Sequence, residues 1–369
     1  MADGLRGVDT MEAQGTRRSF PPSHEAGAEA ARSHISSIDS VAAMDIARKL
    51  TASMSLDLSG LTVAVAAGHG YQAIAATVAA LAGAKRVVAS NRGSGRRGRR
   101  QEAGNTVMTF VRLAGVADKV EVVDHIDSRE WHHVDIVVNC SEVKTVSRSI
   151  IELLPGHAVI ALMAEPWELG SGTLDIAACL DAGIRIAAPN YRHPALVMHQ
   201  EFARLCCRMV EEAGLIFLDS SFAILSDTPV APFIEHALRL RGANARVFPH
   251  PLLLAAGNWN AVIAAMRSSA KPPMSVRGLG HIAEQAGDAL LIQFSGEIDR
   301  SAAGYFGLKL WPQKRPGRNH LGLPLDALGP MPSIRKLVAG LKAAEAAYRG
   351  EQMGGEHIGF IVDKEVPQR

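Results

Sequence analysis

The pattern of apolar and polar positions changes at residue 61. From there, short unbroken apolar runs alternate with stretches whose apolar residues recur at helical spacing. This is how buried parallel strands joined by helices read. The first run covers residues 61–67 and ends in Gly68-His69-Gly70-Tyr71-Gln72-Ala73. Ile74, Val78 and Leu81 then share one face of a helix. Further strands are predicted at 86–90, 119–123, 135–139, 158–163 and 184–187, with a helix at 176–182 before the last of them. Strands with helical crossovers give a parallel, doubly wound sheet.

The same alternation restarts after a predicted helix at 199–214, which leads into a second domain. Strands are expected at 222–225, 245–248 and 289–294, and helices at 232–241, 258–267 and 333–349. Residues 360–362 add a late strand. The proline- and glycine-rich stretch 311–332 reads as a long loop, a kind of segment that usually binds or covers something. Before residue 61 the pattern is weaker. Val41, Met44, Ile46 and Leu50 mark a helix within 37–53, capped by Ser40. Residues 1–36 lack hydrophobic periodicity and are expected to be a disordered extension. The domains are therefore expected at 37–198 and 199–369, both α/β and Rossmann-like with mainly parallel sheets.

Composition narrows the function classes. The chain has 369 residues, 47% of them hydrophobic, and a net charge of +2. That gives material for two cores and no general drive toward nucleic acid or a membrane. No apolar run approaches the roughly eighteen residues of a membrane span. The four cysteines, Cys140, Cys179, Cys206 and Cys207, show no metal-ligand spacing, so no metal site is expected and a reducing, cytoplasmic setting fits. A homodimer is the commonest assembly for such a chain.

The motif at 68–73 is G-x-G-x-x-A, placed between a strand and a helix. Gly68 and Gly70 permit a tight turn and close approach of the backbone to a ligand. The N–H groups of His69, Tyr71 and Gln72 and the positive end of the helix dipole are suited to a pyrophosphate. About twenty positions on, where NAD-binding sheets carry an acidic residue for the ribose, stand Asn91 and Arg92. A guanidinium grips a 2′-phosphate that a carboxylate would repel, which favours NADP over NAD. The missing acid also argues against an S-adenosylmethionine site.

The second-strand segment 83–92, ending Ser90-Asn91-Arg92, resembles that of the shikimate dehydrogenase family of NADP domains. Segment 134–140 is similar to that family's fourth strand, and 157–189, with Glu165-Pro166-Trp167-Glu168, to its following turn and helix. The opening 59–63 is similar to the methylene-tetrahydrofolate and methanopterin dehydrogenase group. The likeness covers residues 59–190 and implies a nicotinamide cofactor cradle. The family's catalytic lysine and aspartate precede the glycine turn, and no matching segment exists here, so its chemistry does not carry over.

The nicotinamide end of a cofactor would lie beyond strands four and five. Asn139 is expected to touch the cofactor, and Lys144 to donate a proton if desolvated. After strand six, Asn190-Tyr191-Arg192-His193-Pro194 is the densest polar cluster in the chain. Tyr191 and His193 are candidates for proton exchange and Arg192 for binding a carboxylate. Asp227 and Glu297 follow strands of the second domain and are candidate substrate contacts. The sequence thus points to an NADP-dependent oxidoreductase acting on a small polar substrate between two α/β domains. The alternative is a non-catalytic protein of the same architecture that recognises a peptide or small molecule.

Overall fold

Alternation along the opening strand builds the two faces of the first sheet. In the computed structural model, which describes residues 39–68, 70–91, 97–139, 146–169, 174–269 and 274–362, Val63 and Val65 enter one apolar cluster and Ala64 the other. The N-terminal extension, His69, Arg92 and Lys144 lie outside the described residues.

In chain order the first half contains α1 (Ser40–Ser53), β1 (Thr62–Ala66), a 3₁₀ turn (Gly70–Ile74), α2 (Ala75–Leu81), β2 (Arg86–Ser90) and α3 (Arg97–Ala114). It continues with β3 (Val120–Val123), α4 (Ser128–Trp131), β4 (Ile136–Asn139), α5 (Arg148–Ile151), β5 (Val159–Leu162), α6 (Ile176–Asp181) and β6 (Arg185–Pro189). The six strands pair in parallel in the order β6-β5-β4-β1-β2-β3. This is the Rossmann order 3-2-1-4-5-6, with its switch point between β1 and β4. The cap of α1 is Asp39, whose carboxylate accepts from Ala42 N–H, and not Ser40.

The second half runs α7 (Met198–Glu212), β7 (Ser221–Leu225), α8 (Ala231–Arg239), β8 (Asn244–Phe248), β9 (Ala261–Ala265) and α9 (Val276–Ala286). It ends with β10 (Leu290–Ser295), α10 (Arg300–Tyr305), β11 (Leu310–Trp311), α11 (Pro330–Arg349) and β12 (Gly359–Ile361). Strands β7 to β11 form a second parallel sheet in the order β11-β10-β9-β7-β8. Numbered within the sheet this is 2-1-3-4-5, the other common doubly wound order. Phe222 and Ile224 face one apolar cluster, Ala223 and Leu225 the opposite one.

The helix expected over 258–267 is a strand. Residues 261–265 are buried throughout and pair with β7 on one side and β10 on the other. A short apolar run reads equally well as a buried helix or strand, and two-sided burial decides it here. The helix of this region lies further on, as α9.

The chain also returns to its first sheet. Helix α11 packs on β5 and β6, and β12 pairs antiparallel with β6 at the sheet edge. Gly340 permits this approach, since a Cβ there would press within about 2.5 Å of the Leu162 carbonyl oxygen. Residues 330–362 therefore complete the layers of the first sheet, although they follow the second in sequence. No helix among the described residues is long and apolar enough to cross a membrane.

Candidate functional site

At the carboxyl end of β1 the chain makes the turn that carries both glycines. A Cβ on Gly68 would sit 2.9 Å from Gln72 Cβ, and Gly70 has a φ of +58°. A side chain is excluded by contact at the first position and disfavoured by conformation at the second. A Cβ on Gly70 would also collide with the carboxylate of Asp326. That carboxylate accepts the Tyr71 N–H through Oδ2 at 3.1 Å and the Ser333 hydroxyl through Oδ1 at 2.5 Å. Burial raises the Asp326 pKa above the usual carboxylate range, opposed by its bonds from Ser333 and Tyr71. A main-chain donor of the glycine turn thus holds an anion supplied by the chain itself.

Two asparagines mark the neighbouring strand ends. Asn91, after β2, is buried against Gly104 of α3, and its Oδ1 has no hydrogen-bond partner among the described residues. Asn139 ends β4 and is buried. The Gln72 Oε1 is likewise buried without a partner among the described residues. The glycines, where a Cβ has no room, and the amide at the end of β2 fit a dinucleotide, while the Tyr71 N–H is taken by Asp326.

Beyond β5 and β6 lies a buried polar network. Glu165 accepts from Tyr191 N–H at 2.7 Å and from Trp167 Nε1 at 2.7 Å. Tyr191 donates its phenol to Glu168 at 2.6 Å, and Lys336 of α11 reaches the other Glu168 oxygen at 2.8 Å. Burial raises the Glu165 carboxyl and drives the Tyr191 phenol well above its ordinary value. Tyr191 is 2% exposed and its hydroxyl is committed to Glu168. In this arrangement the Tyr191 hydroxyl is engaged within the network.

Next to the network is a groove of about 570 Å³ between the segment after β6 and the first loop and helix of the second sheet. Arg192, His193, His199, Gln200, Val197 and Phe233 contribute to its walls. Arg192 brings a guanidinium to its lining, and no carboxylate is among the described residues that line it. His199 stacks on Phe233 at 4.8 Å and meets Tyr191 edge-on at 5.9 Å. Its Nε2 is buried without a partner among the described residues, and burial lowers its pKa. Val197, which precedes α7, adopts φ +46°, a left-handed conformation that a β-branched residue rarely takes.

The structure brings Tyr191, Arg192 and His193 to this groove but not Asp227 or Glu297. His193 Nδ1 accepts from Ala195 N–H at 3.2 Å, and Arg192 is exposed. Asp227 accepts the Arg267 N–H at 2.8 Å and so ties the ends of β7 and β9. Glu297 pairs with Arg315 at 3.0 Å and accepts from Asn319 N–H, which fixes the loop after β11. Sequence reading passed over Asp326, Lys336 and His199. Only His199 had a local signal, a histidine opening a helix directly after the polar cluster.

Together these features define a Rossmann-type α/β protein with two doubly wound, mainly parallel sheets. No protein-family model matches the chain, and no curated protein matches it. Among solved structures, a dipicolinate synthase from Bacillus subtilis is 13% identical over 81% of this chain and 100% of its own, with a TM-score of 0.50. The dipicolinate synthase of Bacillus halodurans is 12% identical over 76% and 96%, with a TM-score of 0.47. An NAD⁺-bound 3-phosphoglycerate dehydrogenase from Entamoeba histolytica is 13% identical over 67% and 92%, with a TM-score of 0.42. At these identities the likeness is one of fold.

Proposed function

We propose that this protein is an NADP-dependent oxidoreductase whose substrate is a small organic anion bound in the groove beside Tyr191. One observation carries the reading: the glycine turn lies at the switch point of a 3-2-1-4-5-6 sheet, and its Tyr71 N–H holds a carboxylate. Gly68, Gly70, Tyr71 and Gln72 would hold the pyrophosphate, with His69 in the same motif, and Asn91 and Asn139 would contact the ribose and nicotinamide ends. When bound, the cofactor supplies or accepts the hydride. Arg92, by its place in the sequence, would grip the 2′-phosphate.

The groove's lining supports an anionic substrate. Arg192 would take the charged group in a bidentate pair, and Phe233 and Val197 would wall the apolar part. His193 and Lys144 are the candidates for proton exchange with the reacting oxygen, and the Glu165–Glu168–Lys336 network fixes the backbone at Tyr191 that leads to His193. Residues 37–198 with 330–362 would form the cofactor domain and residues 199–329 the partner domain.

The test is oxidation of NADPH in the presence of a panel of small 2-oxo and 3-oxo carboxylates. Turnover with a member of the panel is expected, and Arg192→Ala should raise KM for that substrate about tenfold or more, the loss of a charge-assisted pair. Turnover that prefers uncharged carbonyl compounds would contradict the substrate assignment.

A further inference from the structure

Asp326 stands in an unusual place for an acidic residue. It belongs to the 3₁₀ turn Leu325–Leu328, between the long loop after β11 and helix α11, yet its carboxylate rests on the glycine turn. Oδ2 lies in the notch left by the absent Gly70 side chain, and Oδ1 is fixed by Ser333 from the first turn of α11. The flanking residues Leu325, Ala327 and Leu328 pack against the core of the second sheet. Asp326 is therefore held from three sides, although its desolvation opposes the charge.

A pyrophosphate bound by a Rossmann glycine turn uses the same N–H groups and the same space above the second glycine. Two anions do not share one N–H in a partly buried site, where their repulsion is weakly screened. We infer that Asp326 is a built-in occupant of the dinucleotide seat, and that the cofactor binds by displacing the Leu325–Leu328 turn from the glycine turn. The inference rests on the reading of the first sheet as a dinucleotide site. Its consequence is quantitative: apparent affinity for the cofactor is reduced by the fraction of molecules in which Asp326 is docked. The same step links cofactor binding to the loop 312–324, which runs along the carboxyl edge of the second sheet, where Gly322 N–H bonds the Phe294 carbonyl.

The experiment is calorimetric titration of the full chain with NADPH and with NADH, on wild type, Asp326→Ala, Asp326→Asn and Ser333→Ala. Asp326→Ala should bind NADPH on the order of tenfold more tightly than wild type, about 1.4 kcal/mol. Ser333→Ala should shift affinity in the same direction by less. In the absence of nucleotide, Asp326→Ala should unfold at a lower temperature than wild type, because it loses the docking contacts. Opposite signs for stability and affinity separate displacement from a merely structural role. In wild type, hydrogen exchange across 312–329 should quicken when NADPH is added. If wild type binds NADPH while the Asp326 variants bind it equally or less well, or if 312–329 becomes more protected, displacement is refuted and the cofactor site stands. If no form binds either nucleotide, the dinucleotide reading fails and this inference with it.

Discussion

Tyr71 donates its backbone N–H to the carboxylate of Asp326, which lies 255 residues further along the chain. The bond joins the glycine turn of the first sheet to the segment through which the chain returns from the second. The Tyr71 N–H of the turn is thereby satisfied within the chain. On the proposed reading, Asp326 is what a ligand of the turn would compete with.

Gly70 is the position where this contact can be probed for stability. Gly70→Ala combines a left-handed φ of +58° with a collision against Asp326, whereas Gly60→Ala, at φ +83°, meets nothing within 4 Å. Gly60→Ala should cost about 1 kcal/mol from backbone strain alone, and Gly70→Ala about 2–3 kcal/mol. Urea unfolding of both variants measures the difference. Equal losses would mean that Asp326 does not press on the turn.

The buried network should behave as a unit. Lys336→Met leaves Glu168 partly buried without its cation and should cost about 2–3 kcal/mol, somewhat below the range for a fully enclosed pair. Tyr191→Phe removes a phenol bond to the same carboxylate and should cost about 1.5–3 kcal/mol. In the double variant the losses should differ from their sum by at least about 0.5 kcal/mol, since both act on Glu168. Strict additivity in a denaturation cycle would contradict the shared carboxylate.

His199 gives the fold a pH dependence with a defined sign. Burial depresses its pKa, with Glu168 opposing and Arg192 adding to the effect. The folded state therefore binds the proton less readily than the unfolded chain, whose histidine titrates near about 6.5. Stability from this residue is complete above that value and falls as pH drops toward the folded-state pKa. His199→Gln should remove this part of the slope, seen as a smaller loss of thermal midpoint between neutral and mildly acidic pH. An unchanged slope would show that His199 is not the group responsible.

Much of the architecture was legible because local pattern carries it. The runs that became β1, β2, β4 and β5 are apolar on both faces, and the glycine turn follows from two glycines between a strand and a helix. Residues 261–265 misled because five apolar residues fit a buried helix as well as a central strand, and only their neighbours β7 and β10 decide between them. The return of α11 and β12 to the first sheet, and the docking of Asp326, are contacts between distant parts of the chain with no local signature. Asp227 and Glu297 sit at the carboxyl edge, as their strand positions required. Whether such an acid faces a ligand or ties a loop depends on partners such as Arg267 and Arg315.

In the proposed cofactor site, discrimination between NADP and NAD would fall to the residues after β2. Asn91 is an amide buried where an acid would mark NAD, and Arg92 follows it in the sequence. Arg92→Ala should weaken NADPH binding about tenfold or more while leaving NADH nearly unchanged, as loss of a charge-assisted phosphate contact would. Equal weakening of both, measured by competition titration, would remove the 2′-phosphate assignment.

The most direct test of the central claim is the thermal unfolding midpoint of the wild-type chain with and without saturating NADPH. A ligand bound at one hundred times its dissociation constant adds about 2.7 kcal/mol of stability, enough to raise the midpoint by several degrees. The account predicts that rise with NADPH and a smaller one with NADH at the same concentration. An unchanged midpoint with both, across wild type and Asp326→Ala, would contradict it.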